Sequence, residues 1–384
     1  MSGKGNLNCH PKLNKFLMKV FSGNRFIYFY FCLIFFDISI SFAASNDTLF
    51  ASSIHPYGRY VKNAHGEIEL ISSAVYFGFR FKGSSCSLYA NIKDAGGHNY
   101  LQYTLDGVYQ KRIRISGNIT RQLVIYGLGT GKHTIWIYKA TEALTGPVFI
   151  EKIVANDIVA LKVPDQPLIE FIGNSITCGA AADPSEIPCG TGEYHDQHNA
   201  YYSYGPRVAR ALGVNFILSA VSGIGIYRNW NSPGPVMPQV YEKTDFQASS
   251  TRYWDFKTYH PRIVSIDLGT NDFSDGDGRS PRLPFDSIVF VNNYIRFVEM
   301  VKSKYPYTQI ALLSSPMLNG RKREALQNYL AVVKKHIDGE YRSGKRVSLF
   351  YFKPMQARGC SGHPNIEDHA ILAAELVPFF KKLM

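Results

Sequence analysis

Ser175, Gly223, Asn271 and His363 occupy similar places in the chain, each lying beyond a short apolar run. The runs are Leu168 to Ile172, Val214 to Leu218, Ile263 to Leu268 and Val347 to Phe352. Together these residue types can transfer an acyl group. A serine hydroxyl attacks a carbonyl, a histidine takes the proton, and N–H donors stabilise the negative oxygen that forms. Ser175 comes just after its run within "IEFIGNSITCG", so its hydroxyl would be exposed at a strand-to-helix turn and its own N–H could serve as an oxyanion donor. Gly223, in "SAVSGIGI", lets the backbone approach a ligand closely, and Asn271, in "SIDLGTNDF", offers a side-chain amide to the same oxygen. His363, in "RGCSGHPNIEDH", could reach back to Ser175 as general base, with Asn365 available to cap the final helix.

Each of these signals alone reads as ordinary punctuation, because Gly, Asn and Ser end strands and a lone histidine is usually structural. On that reading Asp272 caps a following turn and His369, within the last helix, is structural or on the surface. What favours chemistry is co-location. In an open α/β sheet the ligand crevice lies beyond the carboxyl ends of the strands, where all four residues fall.

Two stretches of different periodicity must position them. Over residues 50 to 160 the chain alternates as short strands: "AVYFGFRF", "SCSLYANI", "YLQYTLDG", "RQLVIYGL", "HTIWIYKA" and "VFIEKIVA". Turn residues separate them, Gly83 and Ser84 between the first two, and the pattern predicts an antiparallel β-sandwich of the jelly-roll kind. After "VPDQP" buried-strand runs, including Ile310 to Leu313, alternate with helical stretches, predicting a doubly wound parallel-sheet α/β domain over 165 to 384. Two helices stand out, in "FVNNYIRFVEMVKSKYP" and in "DHAILAAELVPFFKKL", whose Leu372, Leu376, Phe379, Phe380 and Leu383 share a face.

At 384 residues, with 45% hydrophobic and 19% charged residues, the composition is that of a folded protein. Lys4, Lys12, Lys15, Lys19 and Arg25 precede "FIYFYFCLIFFDISISFAAS", with Ser41 and Ala43 spaced as a small-residue cleavage site, so residues 1 to 43 predict a secretory signal peptide. An uncleaved anchor is the alternative, but Asp37 interrupts the apolar run; no stable membrane association is expected after cleavage. The net charge of +12 favours acidic surfaces, yet no dense Lys/Arg run with interleaved aromatics supports nucleic-acid binding. Cys86, Cys178, Cys189 and Cys360 come after the leader with no C-x-x-C pair, so disulfides are more natural than a metal site. Cys178 with Cys189 or Cys178 with Cys360 are both conceivable, and spacing does not choose.

"GNS" at 173 to 175, Gly223 in "SGIG", "GTND" at 269 to 272 and "GHPN" at 362 to 365 resemble the four ordered blocks of the SGNH, or GDSL-like, hydrolases. With "NAYYSYG", "YEKT", "WDF" and "HTIWIYKATEALTGPVFIEKI", nearly all of residues 50 to 384 resembles carbohydrate esterase family 2. The resemblance implies an exported acetylesterase that removes O-acetyl groups from plant polysaccharides such as xylan or mannan-type glycans, without metal or cofactor. It implies Ser175 as nucleophile, His363 as base, and the Ser175 and Gly223 N–H groups with the Asn271 amide as oxyanion hole. The superfamily usually has an Asp shortly before the His, where this chain has Cys360, Ser361 and Gly362. A Ser-His dyad is therefore expected, its imidazole oriented by a backbone carbonyl or by the Ser361 hydroxyl; Asn174, in place of the Asp of a GDS block, shapes the turn. Alternatives are a glycan-binding or catalytically weakened protein of the same fold, with Trp230 and Trp254 stacking on sugars, and a lipase-type SGNH esterase.

Overall fold

A computed structural model describes residues 46 to 384 except Ser280. The expected signal peptide over 1 to 43 lies outside the described residues. Ten strands occupy the N-terminal part: β1 (Asp47–Phe50), β2 (Tyr60–Lys62), β3 (Ile68–Leu70), β4 (Tyr76–Asn91), β5 (His98–Leu105), β6 (Val108–Tyr109), β7 (Ile113–Ser116), β8 (Arg121–Tyr126), β9 (Lys132–Lys139) and β10 (Val148–Leu161). They pair antiparallel throughout and enclose a core that includes Phe77, Phe79, Phe81, Leu88, Ile135 and Ile153.

One predicted turn is absent from this sheet. "AVYFGFRF" and "SCSLYANI" are not two strands separated at Gly83 and Ser84 but the single sixteen-residue β4. Gly83 adopts φ +118°, which lets the strand change partners without ending: Tyr76 to Lys82 pair with β9, and Ser85 to Ala90 pair with β8. The residues expected to make a turn instead bend a shared strand.

Five parallel strands come next: β11 (Leu168–Gly173), β12 (Asn215–Ala220), β13 (Ile263–Ile266), β14 (Gln309–Leu313) and β15 (Ser348–Phe350), in the order β12-β11-β13-β14-β15. The helices are α1 (Ser175–Cys178), α2 (Tyr204–Leu212), α3 (Met237–Val240), α4 (Ser287–Lys304), α5 (Gly320–Glu340) and α6 (Ile366–Leu383). Phe171 of β11 packs in one cluster with Val208, Leu372 and Phe380 of α2 and α6, whereas its neighbour Ile172 packs with Phe297, Val301 and Leu330 of α4 and α5. Alternate side chains of each strand thus meet helices on opposite faces, so the strands read as continuous apolar runs. Helices α4 and α6 match the two predicted ones. Helices α2 and α5 carry a weaker sequence signal: α2 has Gly205 and Pro206 in its first turn, and α5 buries only Leu326, Leu330, Val333 and Ile337 among many charges.

The strand order reverses direction at β11, whose neighbours β12 and β13 come next in the chain on opposite sides. Chain segments leaving the carboxyl ends of β11 and β13 diverge there and leave a crevice. Buried polar contacts join the two sheets below it. Arg59 of the sandwich, fully buried, donates to the Tyr241 and Lys243 carbonyls at 2.8 and 2.7 Å and lies 3.8 Å from Glu170 of β11. Among the described residues no helix is long and apolar enough to cross a membrane.

Candidate active site

Strand β11 ends at Gly173, where a Cβ would stand 2.0 Å from Thr177 Oγ1, so only glycine permits the tight return of the chain. Asn174 then caps α1: its side-chain oxygen accepts from the Ile176 N–H at 3.0 Å, while its amide nitrogen donates to the Asp267 carbonyl at 3.3 Å. This fixes the start of α1 against the end of β13. Ser175, only 7% exposed, is the first helical residue, and its N–H has no acceptor within the helix. Its Oγ lies 2.9 Å from His363 Nε2.

His363 Nδ1 lies 3.1 Å from the Ser361 carbonyl oxygen. A carbonyl only accepts, so Nδ1 carries the proton and Nε2 turns its lone pair to the Ser175 hydroxyl. The orienting atom at position 361 is thus the backbone carbonyl rather than the hydroxyl. Ser361 adopts φ +51° and Gly362 φ +71°, and two successive left-handed residues turn that carbonyl inward. Such a conformation at a non-glycine costs roughly 1 kcal/mol or more and needs support from its surroundings. Support comes from Gly359 N–H donating to the His363 carbonyl at 2.7 Å, and from Cys360 N–H donating to the Ala181 carbonyl at 2.9 Å. A disulfide between Cys189 and Cys360 adds to it. Burial, reinforced by nearby His198, lowers the His363 pKa below the ordinary imidazole value.

The disulfide matches neither pairing considered from spacing. Cys178 is a buried free thiol within α1, and Cys189 reaches the histidine loop from the segment between α1 and α2. The double variant Cys189→Ala/Cys360→Ala is expected to lose about 2–5 kcal/mol of unfolding free energy, measured by denaturant titration. Its kcat on an aryl acetate should fall more than its KM rises.

Beyond β12, Gly223 adopts φ +74°, and no heavy atom stands within 4 Å of where a Cβ would be. The chain here is held from both sides. The Gly223 carbonyl accepts from the Trp230 N–H at 2.8 Å, and Asn271 Nδ2 donates to the Ile224 carbonyl at 2.8 Å. Asn271, 7% exposed, has a second amide hydrogen left for a ligand. Asp272 does not cap its own turn as expected; its carboxylate accepts from the N–H groups of Ile226, Tyr227 and Arg228 at 2.9 to 3.1 Å. Asn271 and Asp272 together therefore bind the loop after β12 to the loop after β13.

The structure does not bring all expected residues together. Trp230, 47% exposed, borders the Gly223 loop. Trp254 stacks on Tyr259 at 5.6 Å and carries the Arg59 guanidinium 5.0 Å from its ring centre. It packs, half-buried, beside Leu168, the first residue of β11, at the end of the sheet away from Ser175, so it is a packing residue there and not part of this site. His369 is fully buried, with its ring stacked on Tyr204 at 6.4 Å.

Two further residues at the site carry no signal in the sequence. Tyr194 stands over the pair, its hydroxyl 3.4 Å from His363 Nε2, and no periodicity or spacing marks it. Glu142, in the "KATEALTG" segment of the sandwich, accepts from the Ser222 N–H at 2.6 Å.

Among the described residues two groups have metal-ligand types together. In the first, His98, His195 and Asp196, the Asp196 oxygens already accept from Tyr100 and the Glu193 N–H, and His195 Nε2 faces the His98 carbonyl. The second, Glu299, His336 and Glu340, is partly to fully exposed on α4 and α5. Neither adjoins Ser175.

Residues 57–164 match the carbohydrate esterase 2 N-terminal family, and residues 171–349 match the GDSL-like lipase/acylhydrolase family. An antiparallel N-terminal sheet joined to this parallel sheet defines the class, a GDSL-like carboxylic ester hydrolase. The chain is 31% identical over 314 residues to the cellulase/esterase CelE of Acetivibrio thermocellus, covering 78% of this chain and 36% of CelE, so it spans about a third of that protein. It is 26% identical over 303 residues to an acetylxylan esterase / glucomannan deacetylase of Cellvibrio japonicus, covering 77% of this chain and 80% of that protein. A family two carbohydrate esterase from Clostridium thermocellum in complex with cellohexaose superposes with a TM-score of 0.74 at 28% identity, covering 88% of this chain and 98% of that one. The chain thus carries the carbohydrate esterase 2 N-terminal and GDSL-like matches in tandem, and it is similar in sequence and fold to the family 2 carbohydrate esterases.

Proposed function

We propose that this chain is an exported serine acetylesterase that removes O-acetyl groups from plant polysaccharides of the acetylxylan or acetylmannan type. The observation that carries the reading is the 2.9 Å approach of Ser175 Oγ to a His363 Nε2 left unprotonated by its Nδ1 partner. The names of the Cellvibrio japonicus relative support the substrate class. Export is supported by the basic, apolar and small-residue order of the first 43 residues, and by a disulfide, which persists in oxidising compartments.

In the proposed reaction Ser175 Oγ bonds to the acetyl carbonyl carbon as its proton passes to His363 Nε2. The Ser175 and Gly223 N–H groups and the free Asn271 amide hydrogen receive the negative oxygen. Collapse of the tetrahedral species breaks the bond to the sugar oxygen, which leaves with the proton from Nε2. Water then loses a proton to His363 and attacks the acetyl-serine, releasing acetate and returning the proton to Ser175. The Ser361 carbonyl holds the ring throughout, as the fixed acceptor in the place of a carboxylate. A carbonyl dipole stabilises an imidazolium less than a full charge does.

The test is acetate release from acetylated xylan and acetylated glucomannan by the purified protein, beside p-nitrophenyl esters of increasing chain length. A steep fall beyond acetate with release from either glycan supports the reading; a preference for long acyl chains would replace it with a lipase. The pH dependence is a second expectation. The base must be neutral and burial lowers its pKa, so kcat/KM should reach half its plateau below about pH 6.5, the ordinary imidazole value, and stay high as pH rises. A midpoint clearly above that value would mean that the base is not the half-buried His363.

A further inference from the structure

The segment "KATEALTG" joins β9 to β10 and belongs to the sandwich by chain position, yet Glu142 within it points into the α/β part. Its side chain is 2% exposed. Oε2 accepts from the Ser222 N–H at 2.6 Å, one residue before Gly223, and lies 3.8 Å from the Cys178 thiol at the end of α1. Oε1 lies 3.4 Å from His198 Nε2. His198 Nδ1 accepts from the Ala181 N–H at 3.3 Å, so Nε2 carries the proton and donates to Glu142. The Ala181 carbonyl in turn accepts from Cys360 N–H, where the histidine loop begins. One carboxylate therefore touches the Gly223 loop and the Ser175 helix directly, and reaches the His363 loop through His198 and Ala181.

The turn that presents it is itself braced. Lys139 Nζ and Thr145 Oγ1 both donate to the Glu142 backbone carbonyl, at 2.5 and 2.7 Å. Burial pushes the Glu142 carboxyl up, but the hydrogen bonds from His198 and Ser222 outweigh it and leave the pKa below the ordinary value. A charged acceptor of this kind makes hydrogen bonds roughly twice as strong as a neutral one.

We propose that Glu142 is a positioning residue for acyl transfer: its carboxylate, supplied by the sandwich, fixes Ser222 so that the Gly223 N–H is aimed at the oxygen that becomes negative. The inference rests on the reading of Ser175 as nucleophile and Gly223 as oxyanion donor. It also gives the N-terminal sheet a part in the chemistry, which a separate binding module would not have.

The test is Glu142→Gln in the full chain, beside Ser175→Ala, with an aryl acetate as substrate. An amide offers one acceptor oxygen to two donors, the Ser222 N–H and the His198 Nε2–H, so one bond is lost and the Gly223 loop loosens. Losing a whole oxyanion donor costs about 10²–10³-fold in kcat, so misaiming one should lower kcat by about 10–100-fold, with KM within about twofold. A merely structural role would lower the unfolding midpoint and leave kcat per folded molecule unchanged. The variant Lys139→Met/Glu142→Gln removes both buried charges and guards against loss of folding from an unpaired one; it should show the same kcat loss. A folded variant with kcat within twofold of the wild type, while Ser175→Ala is inactive, would overturn the proposal and leave the esterase reading intact. Failure of both Glu142 variants to fold would assign the residue to stability alone and overturn it too. Activity retained by Ser175→Ala would instead remove the esterase reading.

Discussion

Replacing Ser175 with alanine is expected to lower kcat on an aryl acetate by on the order of 10⁶-fold, the loss typical when the nucleophile of a serine hydrolase is removed. The fold should survive. Ser175 opens a single helical turn where alanine is well tolerated, and the hydrogen bond its hydroxyl makes is to His363 itself. The Asn174 cap, the Gly173 turn and the Asp267 contact that place this turn do not involve the hydroxyl. His363→Ala should cost a similar factor, and the double variant little more than either single one, because the two groups act as a unit. A rate above that of water should remain in all three, from donors that can still stabilise the oxyanion. Comparable unfolding midpoints by circular dichroism would establish that the loss is chemical.

Asn271→Ala should produce the next largest effect, a fall in kcat of about 10²–10³-fold, equivalent to about 3–4 kcal/mol of transition-state stabilisation, with KM little changed. Two losses combine. The amide hydrogen left for the oxyanion disappears, and so does the 2.8 Å bond to the Ile224 carbonyl that helps to hold the loop carrying Gly223. Asp272 still ties residues 226 to 228, so the loop should stay folded although its tip loosens. Asn271→Asp should be worse than Asn271→Ala, since a carboxylate there would face the forming negative oxygen. Steady-state kinetics on the three proteins at one pH test that order; an aspartate variant more active than the alanine variant would place the oxyanion elsewhere.

Residues whose placement depends on the sheet were legible in the sequence. Strand β11 is a continuous apolar run because helices cover both its faces, and a ligand crevice forms beyond the carboxyl ends of such strands. Ser175, Gly223, Asn271 and His363 all fall beyond strand ends for that reason, and the structure brings Ser175 and His363 within hydrogen-bonding distance. Contacts decided by tertiary packing were not legible. Trp254 carries the same aromatic signal as Trp230, yet it packs against Tyr259 and Arg59 at the other end of the sheet. Asp272 looks like a local cap, but the N–H groups it satisfies belong to residues 226 to 228 of another loop. Cys189 and Cys360 are 171 residues apart, and their pairing depends on how the segment between α1 and α2 folds over the histidine loop. Glu142 lies 80 residues from Ser222 and in the other sheet's connections, with no periodic signal to mark it. In β4 the local signal is ambiguous, because a glycine with positive φ bends a strand as readily as it ends one.

The histidine loop also accounts for the missing acidic residue. With a backbone carbonyl on Nδ1, orientation of His363 is retained while the fixed charge is absent. The left-handed Ser361 and Gly362, the Cys189–Cys360 link and the Ala181 carbonyl make that orientation rigid. Ser361→Asp should accordingly leave kcat intact or raise it, by placing a charge near a ring already held.

If the acetyl group passes through Ser175, it can be caught there. Rapid acid quench of the protein during turnover of an aryl acetate, with peptide mass analysis of the quenched sample, should find one acetyl group on the peptide containing Ser175 and none in Ser175→Ala. An acetyl group on another residue, or turnover by the wild type together with undiminished turnover by Ser175→Ala, would contradict that route.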